Sequence, residues 1–242
     1  MPKIFMLLVL SVVSTGLVAC NIGPQVTGSG EIITEGRELP PFSRVEVDGA
    51  TDVSITYGSA QSVKVIADDN IVPIISTEVE GETLKIEPDR SYTSSEQVRV
   101  EIVLPVIRSV EVEGSSNIEI LGAPIEAGRI DRFSLEIEGS GDADIADMRA
   151  ETVEIEIEGS GDVTLGGAGK HLAVVIEGSG GIDALGFVAD EGVATIEGSG
   201  DIKIHVTSIL RGTISGSGSI LYRGDSPSVE KNISGSGEIR KI

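Results

Sequence analysis

The sequence predicts an all-β protein, most of it a β-helix-like solenoid of stacked short strands with coils of about 20 residues. Apolar residues alternate with polar ones on both sides of each glycine motif, which is the two-residue period of a β-strand. No segment shows the 3.6-residue period of an amphipathic helix. Repeats of this length are typical of solenoids. The motif, Gly-Ser-Gly or a near variant, recurs at intervals of 18 to 25 residues, beginning at Gly114, Gly139, Gly159, Gly178, Gly198, Gly216 and Gly235.

The first twenty residues have the pattern of an export signal. Lys3 precedes an apolar run over residues 4–13, which is too short for a permanent membrane span of about twenty residues. Residues 17–20, Leu-Val-Ala-Cys, resemble the lipobox of bacterial lipoproteins, and Cys20 is the only cysteine of the chain. We therefore expect a signal peptide over residues 1–19 and a lipid on Cys20 that holds the protein to a membrane.

The remaining chain divides by regularity. Residues 20–40 are expected to form the lipidated N-terminus and a linker. Residues 41–110 contain alternating stretches separated by irregular turns, which predicts an irregular β part. Residues 111–242 carry the regular motifs and predict the solenoid proper. The Gly-rich stretch 166–171 is interpreted as a loop between two coils, because it lacks the residues of a phosphate-binding loop.

The acidic composition excludes nucleic acid as a partner. The formal net charge is −21, and removal of residues 1–19 would make it −22, since Lys3 is the only charged residue removed. Binding to phosphates requires clustered Lys and Arg side chains. Divalent cations or cationic polymers suit this charge better, and an anionic membrane surface would repel the body of the protein.

Acidic residues recur at fixed positions around the glycines. Stacked coils would bring these like charges close together, and Ca²⁺ could bridge them, because it takes six to eight oxygen ligands. A solvated acidic surface without calcium is the alternative interpretation, because salt screens exposed charges. The calcium candidates are the acids that follow the glycines: Asp142, Asp162, Asp201 and Glu238.

No pattern of catalytic residues is present. A serine follows the first glycine of every one of these motifs, which indicates a structural turn rather than one selected nucleophile. His171 and His205 stand alone among the predicted strands, without a matching acidic motif. We therefore predict no catalytic residues.

The segments 42–55 and 81–86, followed by serial Gly-Ser-Gly-Asp units, resemble the auto-transporter adhesin head GIN domain family. The resemblance covers roughly residues 40–240. It implies an all-β, β-helix-like body, commonly exported as a lipoprotein or membrane-attached protein in bacteria. It implies little about activity and supplies no catalytic residues that could be assigned to this sequence.

Three functions remain open. The leading hypothesis is a non-catalytic envelope lipoprotein, on the outer-membrane or periplasmic side, that binds a cell-envelope protein, a polysaccharide or another copy of itself. The first alternative is a carbohydrate-active enzyme, a polysaccharide lyase or hydrolase, for which the candidate polar residues are Arg90, Tyr92, Lys170 and Arg211. The second alternative is an accessory subunit in envelope-stress sensing or complex assembly.

Overall fold

A computed structural model describes residues 25–123, 130–224 and 228–242, and within them the protein is all-β, as predicted. Cys20 and residues 1–19 lie outside the described residues. The described residues form nineteen strands and one short 3₁₀ turn, Val72–Ile74. Strands β1 and β8 form a small separate pair, and the other seventeen form one continuous sheet.

The first nine strands are short. They are β1 (Val26–Thr27), β2 (Ile32–Arg37), β3 (Arg44–Gly49), β4 (Asp52–Tyr57), β5 (Ser62–Asp68), β6 (Ile75–Glu80), β7 (Thr83–Pro88), β8 (Tyr92–Thr93) and β9 (Arg99–Leu104).

Many of the later strands are longer, up to 18 residues. They are β10 (Ser109–Gly114), β11 (Ile118–Leu121), β12 (Ile130–Gly139), β13 (Ala143–Gly159), β14 (Asp162–Gly178), β15 (Gly181–Gly198), β16 (Asp201–Gly216), β17 (Ser219–Arg223), β18 (Ser228–Gly235) and β19 (Glu238–Lys241).

Strands β13 to β16 each run from one glycine corner to the next, so the expectation of short strands is wrong for this region. The pairing continues through shifts of register, for example between Ile145 and Met148, because a bulge bends a strand without ending its hydrogen bonding. The stretch 166–171, expected to be a loop, lies inside β14 for the same reason.

Equivalent residues of successive glycine motifs lie side by side. Strands β12 to β16 pair in parallel, and the register aligns Gly139 with Gly159 and Gly159 with Gly178. One column of inward side chains shows the result, because each member is fully buried and contributes roughly 1.5–3 kcal/mol to the free energy of unfolding. Its members are Val47, Val112, Ile137, Ile157, Ile176, Ile196 and Ile214.

The two ends of the stack differ. At one end, β3 pairs with β7 and β4 pairs with β9, and the antiparallel strands β2, β5 and β6 cover this end. At the other end, β18 pairs only with β16, and β19 pairs only with β17. Within the described residues, the outer edges of β18 and β19 therefore carry no partner strand.

The corners depend on close backbone approach. Gly159 has a φ of +139°, and a Cβ atom there would overlap the carbonyl oxygen of Gly139. That oxygen already accepts the N–H of Ser160 at 2.9 Å. Only glycine meets both demands at this position, since L-residues avoid positive φ.

Replacing Gly159 by alanine should therefore lower the free energy of unfolding by at least about 2 kcal/mol, from left-handed strain and the overlap with Gly139. Urea unfolding followed by circular dichroism measures the change. The matched control is Gly36→Ala, since a Cβ at Gly36 meets no atom within 4 Å. An equal effect of both substitutions would contradict the proposed role of the corner.

Candidate functional site

The outward surface of the strands that precede the corners is strongly acidic. Two columns of carboxylates run across successive strands on this surface, which we call the acidic face. Neighbouring members are separated by about one strand spacing, roughly 4.8 Å between backbones. The column nearer the corners contains Asp48, Glu113, Glu138, Glu158, Glu177 and Glu197, and the second contains Glu46, Glu111, Glu136 and Glu156.

Two carboxyls of the second column, those of Glu111 and Glu136, have raised pKa values. Partial burial raises the pKa of the Glu111 carboxyl, and the negative charges of Glu136 and Glu46 raise it further. Burial also raises the pKa of the Glu136 carboxyl, followed by the charge of Glu156. Ionisation of the Glu111 and Glu136 carboxyls therefore opposes folding.

The calcium candidates lie along the corners, where two of them act as hydrogen-bond acceptors. Asp142 Oδ1 accepts the backbone N–H of Asp162 at 2.8 Å, and Asp201 Oδ1 accepts the N–H of Ser219 at 3.0 Å. At the preceding corner, just before β11, Asn117 has the same role, because its Oδ1 accepts the N–H of Asp142 at 3.2 Å. Among the described residues, no three His, Cys, Asp or Glu side chains form a group that could hold a metal ion. Calcium binding by these acids stays a prediction.

The residues considered for an enzyme are not brought together. Arg90 and Tyr92 line an open cleft of about 800 Å³ beside the first corner. Lys170 lies on β14 and pairs with Glu151, whereas Arg211 lies on β16 beside Glu230. These positions define no common site.

A buried carboxylate near this cleft was missed by sequence reasoning. Asp68 Oδ2 accepts hydrogen bonds from Ser94 Oγ at 2.6 Å and Ser95 N at 2.9 Å, while Oδ1 accepts from Gly30 N at 2.6 Å and Ser95 Oγ at 2.8 Å. The bonds from Ser94 and Ser95 hold the pKa of Asp68 well below its usual range. Asp68 thus ties the N-terminal segment and the loop after β8 to the end of β5. Only the serine pair beside a polar loop could have signalled it in the sequence.

A third feature combines cations and acids. Arg44, Arg108 and Arg132 line a depression of about 460 Å³ on the outward surface. Glu46 and Glu111 also line it, two residues further along β3 and β10 than Arg44 and Ser109. Ser109 and Ser134 complete this lining, and their hydroxyl oxygens are 3.1 Å apart. Arg44 is 64 residues before Arg108 in the chain, so sequence spacing gave no signal for this cluster.

These features define an all-β protein with an ordered, charged outer surface. The chain belongs to the family described as "Putative auto-transporter adhesin, head GIN domain", whose model matches residues 41–226. The resemblance noted in the sequence is thereby confirmed.

Solved structures share the fold. A putative adhesin from Bacteroides fragilis is 24% identical with a TM-score of 0.84, and the match covers 90% of this chain and all of that one. A putative lipid binding protein from Parabacteroides distasonis is also 24% identical, with a TM-score of 0.73 and the same coverage. A putative adhesin from Parabacteroides merdae is 21% identical with a TM-score of 0.73, covering 91% of this chain and all of that one. No curated protein matches the chain.

None of the helices in the described residues has the length and apolar character needed to cross a membrane.

The corner acids can be tested by separating charge from hydrogen bonding. Asp142→Ala removes the acceptor for the N–H of Asp162 and should cost about 1 kcal/mol of unfolding free energy. Asp142→Asn keeps an acceptor oxygen, as Asn117 does naturally, and should stay within about 0.5 kcal/mol of the parent. Urea unfolding with and without calcium measures both. Equal losses in the two variants would contradict the hydrogen-bond role.

Stability should peak on the acid side of neutral pH. The raised pKa values of Glu111 and Glu136 mean that the folded state binds more protons, so stability rises as the pH falls from 7 toward the ordinary Glu value of about 4.3. The lowered pKa of Asp68 has the opposite sign, so its contribution is present above about pH 4 and is lost below it.

Melting temperatures between pH 2 and 8 measure this profile. Glu111→Gln combined with Glu136→Gln should flatten the neutral side, and Asp68→Asn should flatten the acid side while lowering the melting temperature at pH 7. A profile that these variants leave unchanged would show that other groups control the pH dependence.

Proposed function

We propose that this protein is a non-catalytic, lipid-anchored adhesion and binding module of the bacterial cell envelope. Membership of the adhesin head family and the names of similar structures support the adhesive role. The lipobox-like residues 17–20 support the anchor on Cys20. The acidic face supports partners that carry several positive charges, such as cationic groups of envelope proteins or polymers.

The body of this module is proposed to be a parallel β-helix-like solenoid. The pairing of β7, β3, β10 and the later parallel strands up to β18 supports a stack of nine backbone segments. At a strand spacing of about 4.8 Å, such a stack is roughly 40 Å long.

The observation that supports the proposal is the position of Gln25 and Val26 at one end of this stack. The paired strands β1 and β8 put Val26 beside Tyr92, at the end formed by β7 and β9. Gln25 follows Cys20 by five positions, and an extended chain of that length spans at most about 18 Å. A lipid on Cys20 would keep this end near the membrane, and the free edges of β18 and β19 would lie about 40 Å farther out.

Anchoring is tested by Cys20→Ser, with Asn21→Ser as the matched control. We expect the parent and the control to incorporate labelled fatty acid and to sediment with membranes, whereas Cys20→Ser should do neither. Retention of Cys20→Ser in the membrane fraction would overturn the anchor.

Adhesion is tested separately by attachment of expressing cells to a polylysine-coated surface. The acidic face should dominate, because its charges are held side by side. One variant replaces Glu138, Glu158 and Glu177 by Gln. The control variant removes the same number of charges at Glu31, Glu82 and Asp89. The fold reduction in cell attachment should be at least ten times larger for the first variant than for the control. Equal reductions would mean that net charge alone controls attachment.

A further inference from the structure

The depression between Arg44, Arg108 and Glu111 has a composition unlike the surrounding surface. Acidic residues outnumber Lys and Arg by 39 to 18 in the chain, yet three arginines surround this one cavity of about 460 Å³. The solubility of an acidic protein does not explain why three arginines line the same cavity. A role of the cavity itself in binding would explain it.

The shape of the depression follows from the register. Arg44 of β3 lies beside Ser109 of β10, and Ser109 lies beside Ser134 of β12. In this outward column the long side chain of Arg44 is succeeded by the short side chains of Ser109 and Ser134. The difference in length leaves space above the two serines. Arg108 is held at the rim by its backbone, since its N–H donates to Ser43 O at 2.7 Å and its carbonyl accepts from Ser134 N at 3.0 Å.

The positive side of the depression has unused hydrogen-bond donors. Across residues 25–123, 130–224 and 228–242, the guanidinium groups of Arg44 and Arg108 make no hydrogen bond or ion pair. Arg132 differs, because Glu154 binds it through two bonds, including one from Nε at 3.0 Å. Two arginines with free planar donors suit a carboxylate or phosphate, which such groups bind in a bidentate manner.

The negative side is unpaired as well. Glu46 contacts Lys85 at 3.4 Å, but Glu111 has no cationic partner among the described residues. Glu111 follows Ser109 by two positions on the same strand face, about 7 Å away along β10. The raised pKa of its carboxyl shows that its surroundings disfavour a bare negative charge, which a bound cation would relieve.

A ligand with a single charge fits only half of this arrangement. An isolated anion on Arg44 and Arg108 would face the carboxylates of Glu46 and Glu111. An isolated cation on Glu111 would face the arginines. A group with both charges pairs with each side.

We propose that this depression binds a zwitterionic group, in which Arg44 and Arg108 hold a carboxylate or phosphate and Glu111 holds a neighbouring primary ammonium. The hydroxyls of Ser109 and Ser134 supply further hydrogen bonds to the oxyanion. Amino-acid derivatives and phosphoethanolamine headgroups both carry this chemistry. The site does not depend on the lipid anchor or on adhesion through the acidic face.

Calorimetric titration of the full chain in a non-ionic detergent tests the site. The probes are alanine and phosphoethanolamine, each with two opposite charges, and inorganic phosphate and ethanolamine, each with one kind of charge. We expect at least one two-charge probe to bind at least tenfold more tightly than either single-charge probe. Alanine binding alone would assign a carboxylate source, and phosphoethanolamine binding alone would assign a phosphate source.

Variants locate the binding. Arg108→Gln and Glu111→Gln should each weaken the two-charge probe at least tenfold, with Arg44→Gln as a second variant of the positive side. Arg240→Gln and Glu31→Gln make the same charge changes far from the depression and should leave binding unchanged. All these side chains are exposed or half-buried, and melting temperatures that do not fall below that of the parent verify folding.

Three results would overturn the proposal. The first is the absence of binding by both two-charge probes. The second is inorganic phosphate binding as tightly as the tighter of the two probes that carry both charges, which would indicate a simple anion site. The last is undiminished binding in both Arg108→Gln and Glu111→Gln.

Discussion

Close approach of the backbone at the glycine corners is the constraint on which the rest of the structure depends. Each corner glycine, such as Gly178 over Gly159, lies where a Cβ atom would overlap the carbonyl oxygen of the preceding corner. This contact recurs at the corner glycines from Gly114 to Gly235 and favours one register between successive strands. Because the register is fixed, inward apolar residues form buried columns, and outward residues of one type also form columns.

The columns of outward residues have an energetic cost where the residues are acidic. Neighbouring carboxylates of one column, such as Glu111 and Glu136, lie about one strand spacing apart. Partial burial raises their pKa values first, and the repulsion between the charges raises them further. Buried columns such as Ile157 and Ile176 outweigh this cost, since each fully buried aliphatic side chain contributes roughly 1.5–3 kcal/mol. The protein therefore tolerates an ordered acidic surface that a less regular fold would disperse.

The regular half was predictable from the sequence because its interactions repeat at one distance along the chain. The positions of Gly139 and Gly159 specify both strands and register locally. The covered end was not predictable, since β3 pairs with β7 on one side and with β10 on the other, and no periodic signal marks this insertion of strands. The long strands were also missed, because the glycines of the stretch 166–171 predict a loop, whereas in the structure β14 continues through this stretch with a shift of register.

The candidate sites also differ in how far the sequence could predict them. The corner acids were visible because they repeat, and the structure gives Asp142 a hydrogen-bond role that the natural Asn117 shares. Asp68 and the arginine depression were invisible because each joins residues that are far apart in the chain and occurs once. In the parallel strands, the register aligns equivalent positions in columns, so a residue needed for the structure of each strand should recur along its column. Arg44 does not recur, because Ser109 and Ser134 occupy the next two positions of its column. A residue that breaks its column in this way is better explained by binding than by folding.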